Sequence, residues 1–539
     1  MSRKIITIAA GCLLLAGASG PTTAQAQCGF ADGFAFPVDT SAFSITQDYA
    51  VQSGRFQGRY HTGEDWFIDR TPVSGTTRGT AYGENVRAVA NGRVVLSEPN
   101  AWGDDGGVIL IEHTLPDNSI AYSMYGHITD ETGIAFPANF ACVRTGDVLA
   151  AVDDVRPVPH LHFEIREGSN LTPGPGYVWL DPESLGYRRP GKFLINWNAR
   201  LHDAYRWHID LADESGPAAP PIVNSDNSLI YLDRAAGTER VVLATSDGRV
   251  LWRTLLSDDA VGLDAANADI VFADGGYQPV FNDGTLGTRQ SLGYPVQAVY
   301  ASSPDLLVRT GDGALQSLTL RPDAQTSPRE NWRIAPADAV LSAAYSPAWR
   351  AWVTQSPSGS TQFVMAAPDG SLIDRAFLSE PAGLAAAPDG SAVLFSRGGL
   401  WNVDASGTWT LRDPDFPFTG GEHASVALDE SGRLFVFDGL VAVAFNADGQ
   451  GAWQTAPQFQ PLGGRNQLIV RDNVLLLVSS YGDIIAWRAN TGAECARTRV
   501  WGDWRTGVWF EIGADGILRA WIGDQIIGYD WRAFTRLCR

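Results

Sequence analysis

The stretch Pro159-His160-Leu161-His162-Phe163-Glu164-Ile165-Arg166 decides how the first third of this 539-residue chain is understood. It alternates as a strand does, and residues i and i+2 of a strand share a face. His160 and His162 therefore point one way. Leu161 and Phe163 point the other way, where a core can hold both rings still. Two imidazoles side by side can share one metal site without both binding the ion. Tyr60-His61-Thr62-Gly63-Glu64-Asp65-Trp66 adds donors of the same kind. Gly63, between His61 and Asp65, permits a tight backbone turn that lets both side chains reach one ion. A further histidine stands in Met124-Tyr125-Gly126-His127-Ile128. His, His and Asp suit Zn2+, and three protein ligands leave a fourth position open, as a catalytic zinc requires. A His-x-His pair or a His-x-x-x-Asp spacing alone is a weak signal. All three motifs in order, each in a fitting local context, are far rarer.

Around them the chain has short β patterns. Val86–Val95, Gly107–His113, Ile120–Met124 and His160–Ile165 alternate or run continuously apolar, and long helical periodicity is absent. Together the motifs resemble the lysostaphin-type zinc endopeptidases, which cut peptides of bacterial cell walls. The family pattern His-x-Gly-x-Asp matches His61, Gly63 and Asp65. Its lone histidine after a strand matches His127, and its His-Leu-His-Phe-Glu signature matches His160 to Glu164. Val86–Val95, Val108–His113, Thr145-Gly146-Asp147 and Leu180-Asp181-Pro182 agree more weakly. The resemblance spans roughly residues 36 to 185.

It implies a mainly antiparallel-β peptidase domain with an open groove and a bound Zn2+. His61, Asp65 and His162 would ligate the metal. His160 and His127 would not; they would flank the attacking water and the scissile carbonyl, with His160 as base and His127 as oxyanion stabiliser, or the reverse. Arg70–Gly83 is longer than the family's short connection, and it and the loop Trp102–Gly107 are expected to wall the groove. Tyr60, Trp66 and Trp102 either line that groove or pack in the core. His113, at a strand end, is expected to be structural. His202, His208 and His423 lie outside the motifs.

Ser215-Gly216-Pro217-Ala218-Ala219-Pro220-Pro221 resembles a linker. The division is then 27–195 for the peptidase domain, 196–221 for the linker and 222–539 for a repeating region. In the last, strand-like runs end in turns such as Asp247-Gly248, Asp369-Gly370, Ser406-Gly407, Asp448-Gly449 and Thr491-Gly492, several followed by tryptophan (Trp252, Trp409, Trp453). Clear turns recur about every 40 residues, the period of a four-stranded propeller blade. The region holds about eight blades, alternatively seven. Ile484–Gly492 resembles the pyrroloquinoline-quinone-like propeller repeat, but no adjacent cysteines accompany it, so a quinone-dependent oxidoreductase is disfavoured.

The N-terminus carries Arg3 and Lys4, an apolar run Ile5–Ala16 and Ala24-Gln25-Ala26, the pattern of a signal peptide over 1–26. No later segment is long and apolar enough to span a membrane. The remaining cysteines suggest disulfides, and their positions favour Cys28–Cys142 and Cys495–Cys538. Net charge is −20, from 60 acids against 40 bases, which speaks against nucleic acid as a partner. The expectation is a periplasmic or secreted zinc endopeptidase acting on murein peptides, with the propeller as a binding platform, including for a protein partner. The alternatives are a secreted endopeptidase for proteins or competitor cell walls, and a non-catalytic murein-binding scaffold.

Overall fold

The apolar runs of the first third build an antiparallel sheet of ten strands in the computed structural model. Its main strands are β1 (Phe43–Gln47), β2 (Glu64–Ile68), β3 (Gly92–Glu98), β4 (Gly107–Thr114), β5 (Ile120–Thr129), β6 (Cys142–Val143) and β7 (Leu161–Arg166). Their order is β1-β2-β7-β5-β4-β3-β6. The chain divides into two units, Met1–Trp197 and Asn198–Arg539. The structure describes residues 28–539 except 69–80, 131, 156–157, 169, 212–216, 218, 236, 265–268, 303–305, 321–327, 335–338, 347, 357, 388–389, 397–398, 414–424, 448, 457–465 and 504–506. The expected signal peptide, His423 and most of Arg70–Gly83 lie outside the described residues.

The first unit departs from expectation in two places. Val86–Val95 is not one strand: Asn85–Arg87 and β3 are separate. Between them, Ala88 N donates to Asp147 O, and Val89 N donates to the Tyr125 hydroxyl. These partners take the backbone groups out of any ladder, and buried backbone groups need partners of some kind. The second departure is a helix, Pro190–Arg200. Proline suits the first helical position, where no N–H is needed. The next N–H, of Gly191, donates to the buried Glu64 carboxylate at 3.0 Å. His113 is structural as expected. It is buried, its Nδ1 donates to Asn91 O and its Nε2 pairs with Ser123 Oγ; burial lowers its pKa to about 4. A disulfide joins Cys28 to Cys142.

The second unit is a β-propeller. Its described residues form eight four-stranded antiparallel sheets, which settles eight blades over seven. The repeating Gly and Trp have a common cause. Turn glycines at positive φ receive a tryptophan from the preceding blade: Gly284 receives Trp252, Gly370 receives Trp332 and Gly492 receives Trp453. A Cβ at any of them would collide with the indole. The Trp252 and Trp453 indoles also donate to Asn282 O and Ala489 O, both at 2.9 Å. The sequence period is thus the spacing of one blade-to-blade contact.

The eighth sheet corrects the linker assignment. Tyr205–Asp210, inside 196–221, pairs with Gln525–Asp530 and completes the sheet of the last blade. Tyr205, Trp207 and Ile209 alternate, as a half-buried strand requires. Trp207 lies against Gly248 and Gly528 and joins a core cluster with Tyr231, Trp509 and Trp521. The other expected disulfide, Cys495–Cys538, ties the chain end after this blade to the strand Glu494–Arg499 of the one before. It closes a loop with a separation of 43 residues, worth about 4 kcal/mol by loop entropy. Replacing both cysteines by serine should therefore lower propeller stability by about that much in urea unfolding of the full chain. A loss below about 1 kcal/mol would mean that the closing strand alone holds the ring.

Candidate metal centre and groove

The sheet register brings the motifs together. Asp65 in β2 lies directly across from His162 in β7, and His162 lies across from Gly126 in β5. His61 ends the short strand Arg59–His61, which pairs with Tyr177–Val178. The role of Gly63 differs from the expected one. It does not adopt a positive φ; instead a Cβ there would stand 2.3 Å from Phe163 O. Glycine is required for the close approach of β2 to β7, not for the turn.

His61 Nε2, His162 Nδ1 and Asp65 Oδ1 converge. The separations are 3.1 Å between the two nitrogens, 3.2 Å from His61 to Asp65 and 2.9 Å from His162 to Asp65. Among the described residues this is the group able to hold a metal ion. Tetrahedral ligands at zinc distances lie about 3.3 Å apart, close to these values. The outer nitrogens fix the tautomers. His61 Nδ1 donates to Asp48 O at 3.1 Å, and His162 Nε2 donates to Glu164 at 2.9 Å. Both rings can therefore offer their inward nitrogen to one ion, and the residues fit Zn2+.

The charges agree. Burial works against ionised Asp65, yet the His162 and His61 rings paired with it, His162 foremost, hold its carboxyl far below the usual range. Burial also works against protonated His162, but Asp65 and Glu164 outweigh it and raise the ring to about 9. Glu164 is itself braced. Burial would raise it, but Arg166 foremost, then His162 and Thr62, bring it to about 2. Arg166 donates to Glu164 at 2.7 Å and also to the carbonyls of Asn170, Thr172 and Pro173. A network therefore runs from His162 to the loop that walls the site. Glu164→Gln should weaken zinc affinity about 10- to 100-fold, the usual cost of losing an outer-shell partner. Competition with a metallochromic chelator measures this, and unchanged affinity would remove Glu164 from the site's support.

His127 and His160 face the same space. His127 is the bulged residue of β5: Gly107 pairs with Ile128 and Val108 with Gly126, leaving it between them at φ 58°. Bulges re-aim a side chain, and histidine is among the residues that tolerate this region. Its Nδ1 donates to Asp105 O at 2.7 Å. His160 Nδ1 donates to Val158 O at 2.8 Å, its ring stacks on Phe67 at 4.6 Å, and its Nε2 lies 3.7 Å from Asp65 Oδ2. In their neutral forms both rings thus keep an unprotonated Nε2. Burial, then the neighbouring histidines, lower His127 to about 3; burial also lowers His160. Burial thus favours the neutral form of both rings.

A cavity of about 370 Å³ opens over these groups, walled by Trp102, Phe67, Phe56 and Tyr177 among others. Trp102 lies on Gly126, where a Cβ would meet the indole at 2.3 Å, and its Nε1 donates to Gly174 O. Trp66 is core packing, and neither it nor Tyr60 lines the cavity. His202 packs on Phe534 in the second unit, and His208 pairs with the Tyr205 hydroxyl. Sequence motifs missed Phe56 and Tyr177. Tyr177 meets His61 only through the pairing of Tyr177–Val178 with Arg59–His61, and no local pattern announces that pairing.

The profile of Peptidase family M23 matches residues 71–173, so the chain carries a domain of that family. His127, His160 and His162 fall inside the match, and His61 and Asp65 precede it. No curated protein matches the chain. Solved structures similar to it include BamB from Moraxella catarrhalis (13% identity, TM-score 0.45, covering 60% of this chain and 99% of that one). Sqt1 from Saccharomyces cerevisiae is another (10%, 0.47, 61% and 99%). A third is the quinohemoprotein alcohol dehydrogenase from Comamonas testosteroni (11%, 0.42, 60% and 76%). Among the described residues, no helix is long and apolar enough to cross a membrane.

Proposed function

We propose that the chain is an exported zinc endopeptidase that hydrolyses peptide bonds in cell-wall peptidoglycan, with the propeller as its binding or targeting platform. One observation carries this reading: the donor atoms of His61, Asp65 and His162 converge at the base of a cavity that two further, non-converging histidines face with unprotonated Nε2 atoms. His61, Asp65 and His162 would hold the ion. When bound, Zn2+ supplies Lewis acidity toward a water molecule and a peptide carbonyl. The residues do the rest. Asp48 O and Glu164 fix the ligand rings, and Asp65 supplies a permanent negative charge. His160 takes a proton on Nε2 during attack and returns it to the leaving amine. His127, whose Nδ1 is held by Asp105 O, takes up a proton from solvent on Nε2 as negative charge develops on the carbonyl oxygen, and then donates to that oxygen. Two disulfides in the folded chain support residence in an oxidising compartment, periplasmic or extracellular.

The test incubates the full chain with purified cross-linked murein, with and without a zinc chelator, and identifies released peptides by mass spectrometry. The expected result is chelator-sensitive release that added zinc restores. A zinc-loaded chain that releases nothing overturns the assignment to peptidoglycan.

A further inference from the structure

Among the described residues, Arg55 is the one arginine or lysine that walls the cavity above the candidate metal ligands. It sits on the turn Gly54–Phe56, and its guanidinium lies over the Phe56 ring at 5.4 Å. Phe56 stacks on Tyr177 at 3.8 Å with an interplanar angle of 22°. Tyr177 in turn packs on His61 at 5.0 Å and accepts a hydrogen bond from Gln47 at 2.7 Å. A row of planar groups therefore leads from a metal ligand outward to the guanidinium. At the rise of extended chain, the row covers at most about four residues of a bound peptide.

The neighbouring arginines are occupied. Arg166 is buried against Glu164 and loop carbonyls. Arg189 pairs with Asp48 at 2.6 Å, and Arg59 covers the Trp179 ring at 4.7 Å. Arg55 is exposed and has no carboxylate partner among the described residues, in a chain of net charge −20 where acids outnumber bases. A free guanidinium is a two-pronged receptor for a carboxylate, and the aromatic plane beneath it fixes its orientation.

We propose that Arg55 binds a carboxylate carried by the substrate peptide within a few residues of the scissile bond, and so selects acidic peptides over their amidated counterparts. The inference rests on the peptidase reading above. Its test uses the full zinc-loaded chain and the peptides that it releases from murein, resynthesised across the cut with each carboxylate in turn converted to carboxamide. One such conversion should lower kcat/KM about 10- to 100-fold for the wild type. In Arg55→Gln the ratio between that carboxylate peptide and its amide should fall to near one, at unchanged zinc content. Arg55→Glu should invert it. Wild-type indifference to every amidation overturns the inference and leaves the peptidase reading standing, as does a ratio preserved in Arg55→Gln. A zinc-loaded chain that releases no peptide from murein overturns the peptidase reading, and the inference falls with it.

Discussion

His162→Ala should lose zinc and turnover together. The substitution removes one of three converging donors. It also leaves Asp65 and Glu164, which the imidazole separates and bonds at 2.9 Å each, without the group between them. An unpaired buried charge costs about 3–5 kcal/mol, so part of the effect falls on the fold itself. Asp65→Asn separates the two effects. It keeps the size and a hydrogen-bonding oxygen but removes the anionic ligand, and it should release the metal from a chain that still folds. The expected readouts are zinc per chain near zero after dialysis and kcat/KM down roughly a thousandfold or more, the scale of several kcal/mol of Lewis-acid stabilisation. Zinc retained at full occupancy by both variants would overturn the ligand assignment.

The three donors were legible because each lies in a short window whose chemistry is local. His61 and Asp65 are four residues apart, and His160 and His162 share one face, as the two-residue period of a strand fixes. Their mutual position follows from a register, Asp65 across from His162, that nothing in either window states. The reason for Gly63 was misjudged for the same cause. A tight turn is visible in one segment, whereas the approach of Phe163 O belongs to two. His127 was legible as a residue but not as a bulge, because the bulge exists only against Gly107 and Val108 of β4. A count of about eight blades, or seven, followed from the turn period, since each blade repeats one contact, and the eight sheets decide between them. The closing strand Tyr205–Asp210 was hidden because its partner, Gln525–Asp530, lies more than 300 residues away, and a proline-rich stretch follows it. Arg55, Phe56 and Tyr177 share no motif at all; they meet by stacking of the turn Gly54–Phe56 on the strand Tyr177–Val178.

His160→Ala and His127→Gly should keep zinc and lose turnover, by about 10²- to 10⁴-fold each. Glycine is the right replacement at His127, because alanine at φ 58° would add backbone strain to the loss of the ring. At His160 the backbone imposes no such limit, and alanine removes only the ring that stacks on Phe67. The two variants differ in what the leaving group needs. A base that hands its proton to the departing amine matters less when the leaving group is an alkoxide of an ester, which departs with less protonation. A stabiliser of the tetrahedral oxyanion matters equally for amide and ester, because both pass through the same oxygen anion. His160→Ala should therefore lose more activity on an amide than on the matched ester, and His127→Gly should lose the same on both. The reverse pattern would exchange the two roles and leave the site intact. Zinc released by His160→Ala would instead make His160 a ligand, and its Nε2, 3.7 Å from Asp65 Oδ2, stands near enough for that outcome to be a real test.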